Sequence, residues 1–192
     1  TISSIDKVIK LFCDKNITYY CTSSDWSAGG KCWYPGRALF SAAFTHSLKT
    51  STENCEFDFN IIPYPKYDEM QENYYTVADG NSMLFAIPTS CKNSEFSGFM
   101  IESLSAESTD TSLYAYYDIA CKTRYSYNPV NGEMLDLIFE GIRFDVANIY
   151  SVGSLFNIYS SIIPASGQNL FSSLYKRRET NALNKIQEIK DI

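Results

Sequence analysis

Apolar residues recur at helical spacing at the start of the chain, where Ile5, Val8, Ile9 and Phe12 predict an amphipathic helix over 4–14 capped by Ser3 or Ser4. Residues 16–25 are polar and aromatic, Ser27-Ala28-Gly29-Gly30 reads as a loop, and Trp33-Tyr34-Pro35-Gly36 reads as a turn. A short strand is expected over 37–42 and the start of a helix over 43–48. The clearest strands are the apolar-rich runs 57–62 and 82–87. Each is closed by a proline (Pro63, Pro88), which lacks a ladder N–H and fixes φ. Helical spacing then returns. Phe96, Phe99, Met100 and Leu104 mark one face of a helix, and Leu113, Tyr116, Tyr117, Ala120 and Arg124 mark a face of the next. Asn128-Pro129 separates these from a short helix carrying Met134, Leu135, Ile138 and Phe139, stopped by Gly141. A helix over 155–162 breaks before Pro164, and a last one bears Leu183, Ile186 and Ile189. The pattern is mixed α/β, helix-rich with few strands, the strands early and the helices late.

Between the two predicted strands, Pro63 and Pro65 make the chain leave the first in an extended conformation. The connection is crowded with tyrosines (Tyr64, Tyr67, Tyr74, Tyr75) rather than with Gly and Ser. An aromatic connection that leaves a sheet in a fixed direction suits the lining of a cleft better than a flexible link.

A length of 192 residues fits one domain, or a domain plus part of another. The aromatic share of 15% is high, and tyrosine combines a flat apolar face with a polar tip, which suits neutral polar ligands. The net charge is −6 and no basic run exceeds Lys176-Arg177-Arg178, so a nucleic-acid backbone finds no positive track. No stretch is apolar for long enough to span a bilayer. The first residues carry neither a signal peptide nor an initiating Met, which suggests that an upstream piece has been removed. Six cysteines form no C-x-x-C pair, and with a single histidine a structural zinc site is not expected. A bridge among Cys13, Cys21 and Cys32 and a set of buried free thiols both fit the spacing. Asn16-Ile17-Thr18 matches a glycosylation sequon by pattern alone.

No nucleophile elbow, phosphate-binding glycine loop, dinucleotide fingerprint or H-E-x-x-H helix is present. Any nucleophile–base pair would have to run through His46, and Ser47 beside it in sequence is poorly placed to face it. The carboxylate pairs Asp68/Glu69, Glu107/Asp110 and Asp136/Glu140 read as solvated faces rather than as acid–base pairs. The expectation is therefore a non-enzyme with no catalytic residues, no metal and no cofactor.

Several motifs stand in a telling order. Trp33-Tyr34-Pro35-Gly36-Arg37-Ala38-Leu39-Phe40 comes first, then the Pro-x-Pro-Lys-Tyr-Asp-x-x-Gln-x-x-Tyr segment from Pro63 to Tyr74, then Phe85-Ala86-Ile87-Pro88. Glu102-Ser103-Leu104-Ser105-Ala106-Glu107-Ser108, Ala115-Tyr116-Tyr117 and Glu133-Met134-Leu135-Asp136-Leu137-Ile138 follow. From about Trp33 onward the chain resembles the C-terminal part of a family 1 extracellular solute-binding protein. These are carbohydrate-type receptors of ATP-binding-cassette (ABC) importers, distantly similar to maltose-binding protein. The resemblance implies a type II periplasmic-binding-protein-like fold of two lobes, with residues 1–192 as its C-terminal portion and the N-terminal lobe outside this chain. It implies a monomer that binds a carbohydrate or similar small solute in an interlobe cleft, hands it to a membrane permease, and sits as a lipoprotein on a Gram-positive cell surface. It also implies ligand contacts at Phe44, Thr45 and His46, at the turn Asp79-Gly80-Asn81, and at Phe156 and Tyr159. Family members are longer and begin with a lipoprotein signal and a first lobe, neither of which stands in these residues. The alternative is an interaction or sensory module that reuses this fold to bind a protein partner.

Overall fold

The computed structural model describes residues 2–19, 27–79, 85–126, 128–162 and 169–191. The first helix, α1 (Ile2–Phe12), starts earlier than its expected cap, so Ser3 and Ser4 lie inside it. Ile5 and Ile9 form its buried stripe. They pack against Ile158 and Ile162 of α7 (Ile158–Ile162) and Leu174 of α8 (Phe171–Lys190), with Cys13, Leu155, Leu170 and Phe171 around them. Asn169 just before α8 donates to Asp6 at 2.6 Å, tying the start of the chain to its last helix. This is the apolar core, and it is built from residues about 150 positions apart.

The stretch read as a loop at 27–30 opens a helix, α2 (Ala28–Trp33), whose turn leaves Trp33 half-buried. The Trp33 ring meets Phe57 at 5.4 Å and Phe59 at 5.9 Å, both edge-on. Gly36 takes φ +70° in the following turn, where Phe57 lies against it. Residues 37–44 run without ladder pairing instead of forming the expected strand. A tight turn at Thr45–Ser47 then leads into α3 (Leu48–Asn54).

The expected strand 57–62 is extended but pairs with no strand among the described residues. Two of its backbone groups are paired by one side chain instead. Asn131, 1% exposed, accepts from the Ile61 N–H at 2.9 Å and donates to the Phe59 carbonyl at 3.4 Å. A buried amide with one acceptor and two donors can stand in for a neighbouring strand in this way. The second expected strand is unpaired over 85–87, and its residues 82–84 lie outside the described residues.

The sheet that does form was not legible as strands. It is a parallel pair of two-residue strands, β1 (Thr76–Val77) and β2 (Ile142–Arg143). Two residues are too few to show a period-two pattern, and parallel pairing joins positions far apart in sequence. Among the described residues this is the only sheet, so the architecture is a helix-rich α/β arrangement.

The two helices expected across 96–124 are one continuous element. Asn93 caps it by accepting from Phe96 N, and α4 (Ser94–Ser108) runs without a break into π-wound turns at Thr109–Leu113 and Ala115–Arg124. The Tyr125 N–H closes the last turn on the Ala120 carbonyl at 2.9 Å, an i→i−5 bond. Asn128 then caps α5 (Pro129–Glu140) with Pro129 in its first turn, where proline is tolerated. The short α6 (Val146–Ile149) and a kinked segment, Val152–Asn157, in which Gly153 and Ser154 are left-handed, lead into α7. Gly153 (φ +55°) is required there, since an added Cβ would lie 2.8 Å from Ala182 Cβ on α8.

Candidate functional site

The predicted ligand residues fall in three separate places. Phe44 is 58% exposed and its ring stacks on His46 at 5.3 Å with 12° between planes. Thr45 between them is half-buried. Asp79 is exposed just after β1, while Gly80 and Asn81 lie outside the described residues. Phe156 (45% exposed) and Tyr159 (38%) stand three apart, their neighbours Ile158 and Ile162 turned into the core. The turn at 45–47 packs chiefly on α3, and the 152–157 segment on α6, α7 and α8, so these two groups share no substantial contact.

The tyrosine-rich connection is held stiff from within and from outside. Tyr67 N donates to Gln71 Oε1, Met70 N to Asp68 Oδ1, and Gln71 Nε2 to the Asn73 carbonyl, all between 2.7 and 3.0 Å. Lys66 Nζ donates to the Glu72 carbonyl at 2.8 Å and sits 4.7 Å from the Tyr74 ring centre. From α1, the Ser3 hydroxyl bonds Tyr67 OH at 3.1 Å and the Lys7 ammonium lies 3.8 Å over the Tyr67 ring. These hydroxyl and ammonium contacts hold the Tyr67 phenol below the usual tyrosine range, the Ser3 bond first. The rings of Tyr64, Tyr67 and Tyr75 stay 45–58% exposed on this braced segment.

At the end of that segment lies an open cavity of about 450 Å³. Lys66, Glu72 and Tyr74 form one wall, and Leu137, Glu140 and Arg143 the other. Gly141 lies between the walls and is buried: its carbonyl accepts from Thr76 N at 3.0 Å, and a Cβ there would approach the Tyr74 carbonyl to 2.6 Å. A second cavity of about 420 Å³ lies beside Tyr34, Pro35, Asn54, Glu56 and Phe57.

The structure corrects one expectation. Asp136 is not part of a merely solvated face. It accepts from Tyr117 OH at 2.7 Å and from Lys122 Nζ at 2.5 Å, while Lys122 also reaches Asp118 at 3.5 Å. The Lys122 and Tyr117 bonds hold the Asp136 carboxyl below the usual carboxylate range, and the Asp136 bond lifts Lys122 above the usual lysine range. Burial, then the bond to Asp136, pushes the Tyr117 phenol upward, so it stays a neutral donor. Tyr117 and Lys122 are five apart, and i→i+5 winding brings such residues onto one face. A search at the 3.6-residue period misses this; the spacing of Tyr117 and Lys122 was its only trace.

Cys32, Cys55, Cys91 and Cys121 are in no disulfide, and Cys21 lies outside the described residues. Among the described residues no three His, Cys, Asp or Glu gather as a metal site, and no helix is long and apolar enough to cross a membrane. Comparison with protein-family models, with curated proteins and with solved structures finds no match to this chain.

Proposed function

We propose that this chain is the C-terminal portion of a two-lobed, type II periplasmic-binding-protein-like receptor that binds a carbohydrate or similar small solute and leaves it chemically unchanged. On this reading it is the extracellular, lipid-anchored binding component of an ABC importer, passing its solute to a membrane permease. The observation that carries it is the braced segment 63–75. Local hydrogen bonds fix its backbone and α1 holds the Tyr67 ring, while the rings of Tyr64, Tyr67 and Tyr75 stay open to solvent, as a preformed wall for sugar faces must. The extended, unladdered runs at 37–44, 57–62 and 85–87 add support, since they fit the margin of a sheet that further chain would complete.

A thermal-unfolding screen of the full-length protein, with both lobes present, against mono- and oligosaccharides tests the proposal. A bound sugar stabilises the folded state by mass action, about 2.7 kcal/mol at a hundred times Kd, and so raises the midpoint. A flat response across the whole panel would remove the receptor reading.

The second reading, a module that binds a protein partner, is favoured by a different observation. Leu39 (85% exposed), Phe40 (72%), Phe85 (87%) and Phe99 (64%) leave large apolar side chains in water, as interaction surfaces do.

A further inference from the structure

We infer that the cavity between Lys66–Tyr74 and the end of α5 is itself the seat for a neutral polyhydroxylated solute, and that the predicted residues Phe44–His46 and Phe156/Tyr159 are not its contacts. The inference rests on the solute-binding reading and deepens it by assigning the site.

The volume of about 450 Å³ suits a small ligand, for which cavities run about 300–1,000 Å³. The charges around it choose the ligand class. One wall carries Lys66 and Glu72, the other Glu140 and Arg143, so each wall bears one charge of each sign. A phosphate or other anion meets two carboxylates, and a cation meets two cationic groups. A zwitterion meets a partner for each of its charges here, and glycine in the test below separates that class from the sugars.

Hydroxyl groups are different, since each both donates and accepts. Among the described residues the carboxylates of Glu72 and Glu140 enter no ion pair with Lys66 or Arg143, so their acceptor oxygens are not taken by those neighbours. Lys66 has one donor on the Glu72 carbonyl, and Arg143 uses Nη1 on the carbonyls of Glu140 (3.1 Å) and Ile142 (2.8 Å). An ammonium has three donors and a guanidinium five, so both keep donors for a ligand. Charged groups make stronger hydrogen bonds than neutral ones, and planar forks match adjacent hydroxyls. Leu137 and the part of the Tyr74 ring that Lys66 leaves uncovered supply the apolar surface that a sugar's C–H face needs.

Isothermal titration of the full chain with maltose, cellobiose and N-acetylglucosamine, with glycine and inorganic phosphate alongside, tests this. Glu72→Gln and Glu140→Gln keep the side-chain shape and lie on the surface, and Arg143→Gln is a third variant should either fail to fold. The expected result is saccharide binding weakened about tenfold or more by each cavity variant and unchanged in His46→Ala and Phe156→Ala. Saccharide binding that ignores the cavity variants would overturn the site assignment while leaving the receptor reading intact. Glycine or phosphate binding lost with the same variants would overturn the ligand class. No saccharide binding by the parent chain would overturn the site assignment, and the receptor reading stands or falls on the full-length screen above.

Discussion

Two regions of this molecule are held together by different means. Where α1, α7 and α8 meet, Ile5, Ile9, Ile158, Ile162 and Leu174 touch through aliphatic surface. Where the extended segment 57–62, α5 and the π-wound helix meet, Leu135 and Cys121 are as deeply buried, yet Asn131 and the Tyr117–Lys122–Asp136 contacts complete the seam. The first region tolerates small changes of position because apolar attraction has no preferred direction. The second depends on directed contacts, each needing its own partner.

The comparison can be tested by removing one element at a time. Ile162 is 0% exposed, and Ile162→Ala should cost about 2–5 kcal/mol in chemical denaturation, the largest effect expected. A loss under about 1 kcal/mol would mean that the apolar corner is not the main core. Asn131→Ala leaves the Ile61 N–H and the Phe59 carbonyl unpaired in a buried place, about 1–3 kcal/mol. Asn131→Leu restores volume but no hydrogen bonds. It should therefore be no more stable than the alanine variant; recovery would show that volume rather than pairing holds 57–62.

Asp136→Asn should have the smallest effect, about 1 kcal/mol near neutral pH, because the ion pair is partly open to solvent. Its pH dependence is the sharper readout. The folded Asp136 carboxyl is depressed, so its contribution is complete above the unfolded carboxylate range and is lost as pH falls through the folded value. Lys122 is raised, so its share is complete below the unfolded lysine range and is lost as pH rises through the folded value. The gap between parent and variant should thus close below about pH 4 and again above about pH 10.4. A gap that stays constant from acid to alkali would mean that the pair adds nothing to stability.

Several helices were legible because their apolar stripes repeat locally. Ile5 and Ile9 on α1 and Leu135 on α5 stand where helical spacing puts them, whereas Asn128, read as a break, proves to be the cap of α5. The π winding was not legible, and its consequence, Tyr117 and Lys122 meeting Asp136 together, was read instead as an ordinary acidic face. Of the candidate site, the importance of the tyrosine segment was visible from Pro63, Pro65 and the rings around them. The cavity at its end was not, because half of its lining comes from α5 and β2, some seventy positions away.

The sequence alone determined where most helices lie, that 57–62 must run extended into Pro63, and that tyrosines follow it. Only the tertiary structure decided what that extended run pairs with, which two-residue strands meet, and which charges share a cavity. The reason is physical: helix periodicity and proline geometry act between near neighbours. A parallel ladder or a buried amide bond exists only once distant backbone groups are brought within hydrogen-bonding reach.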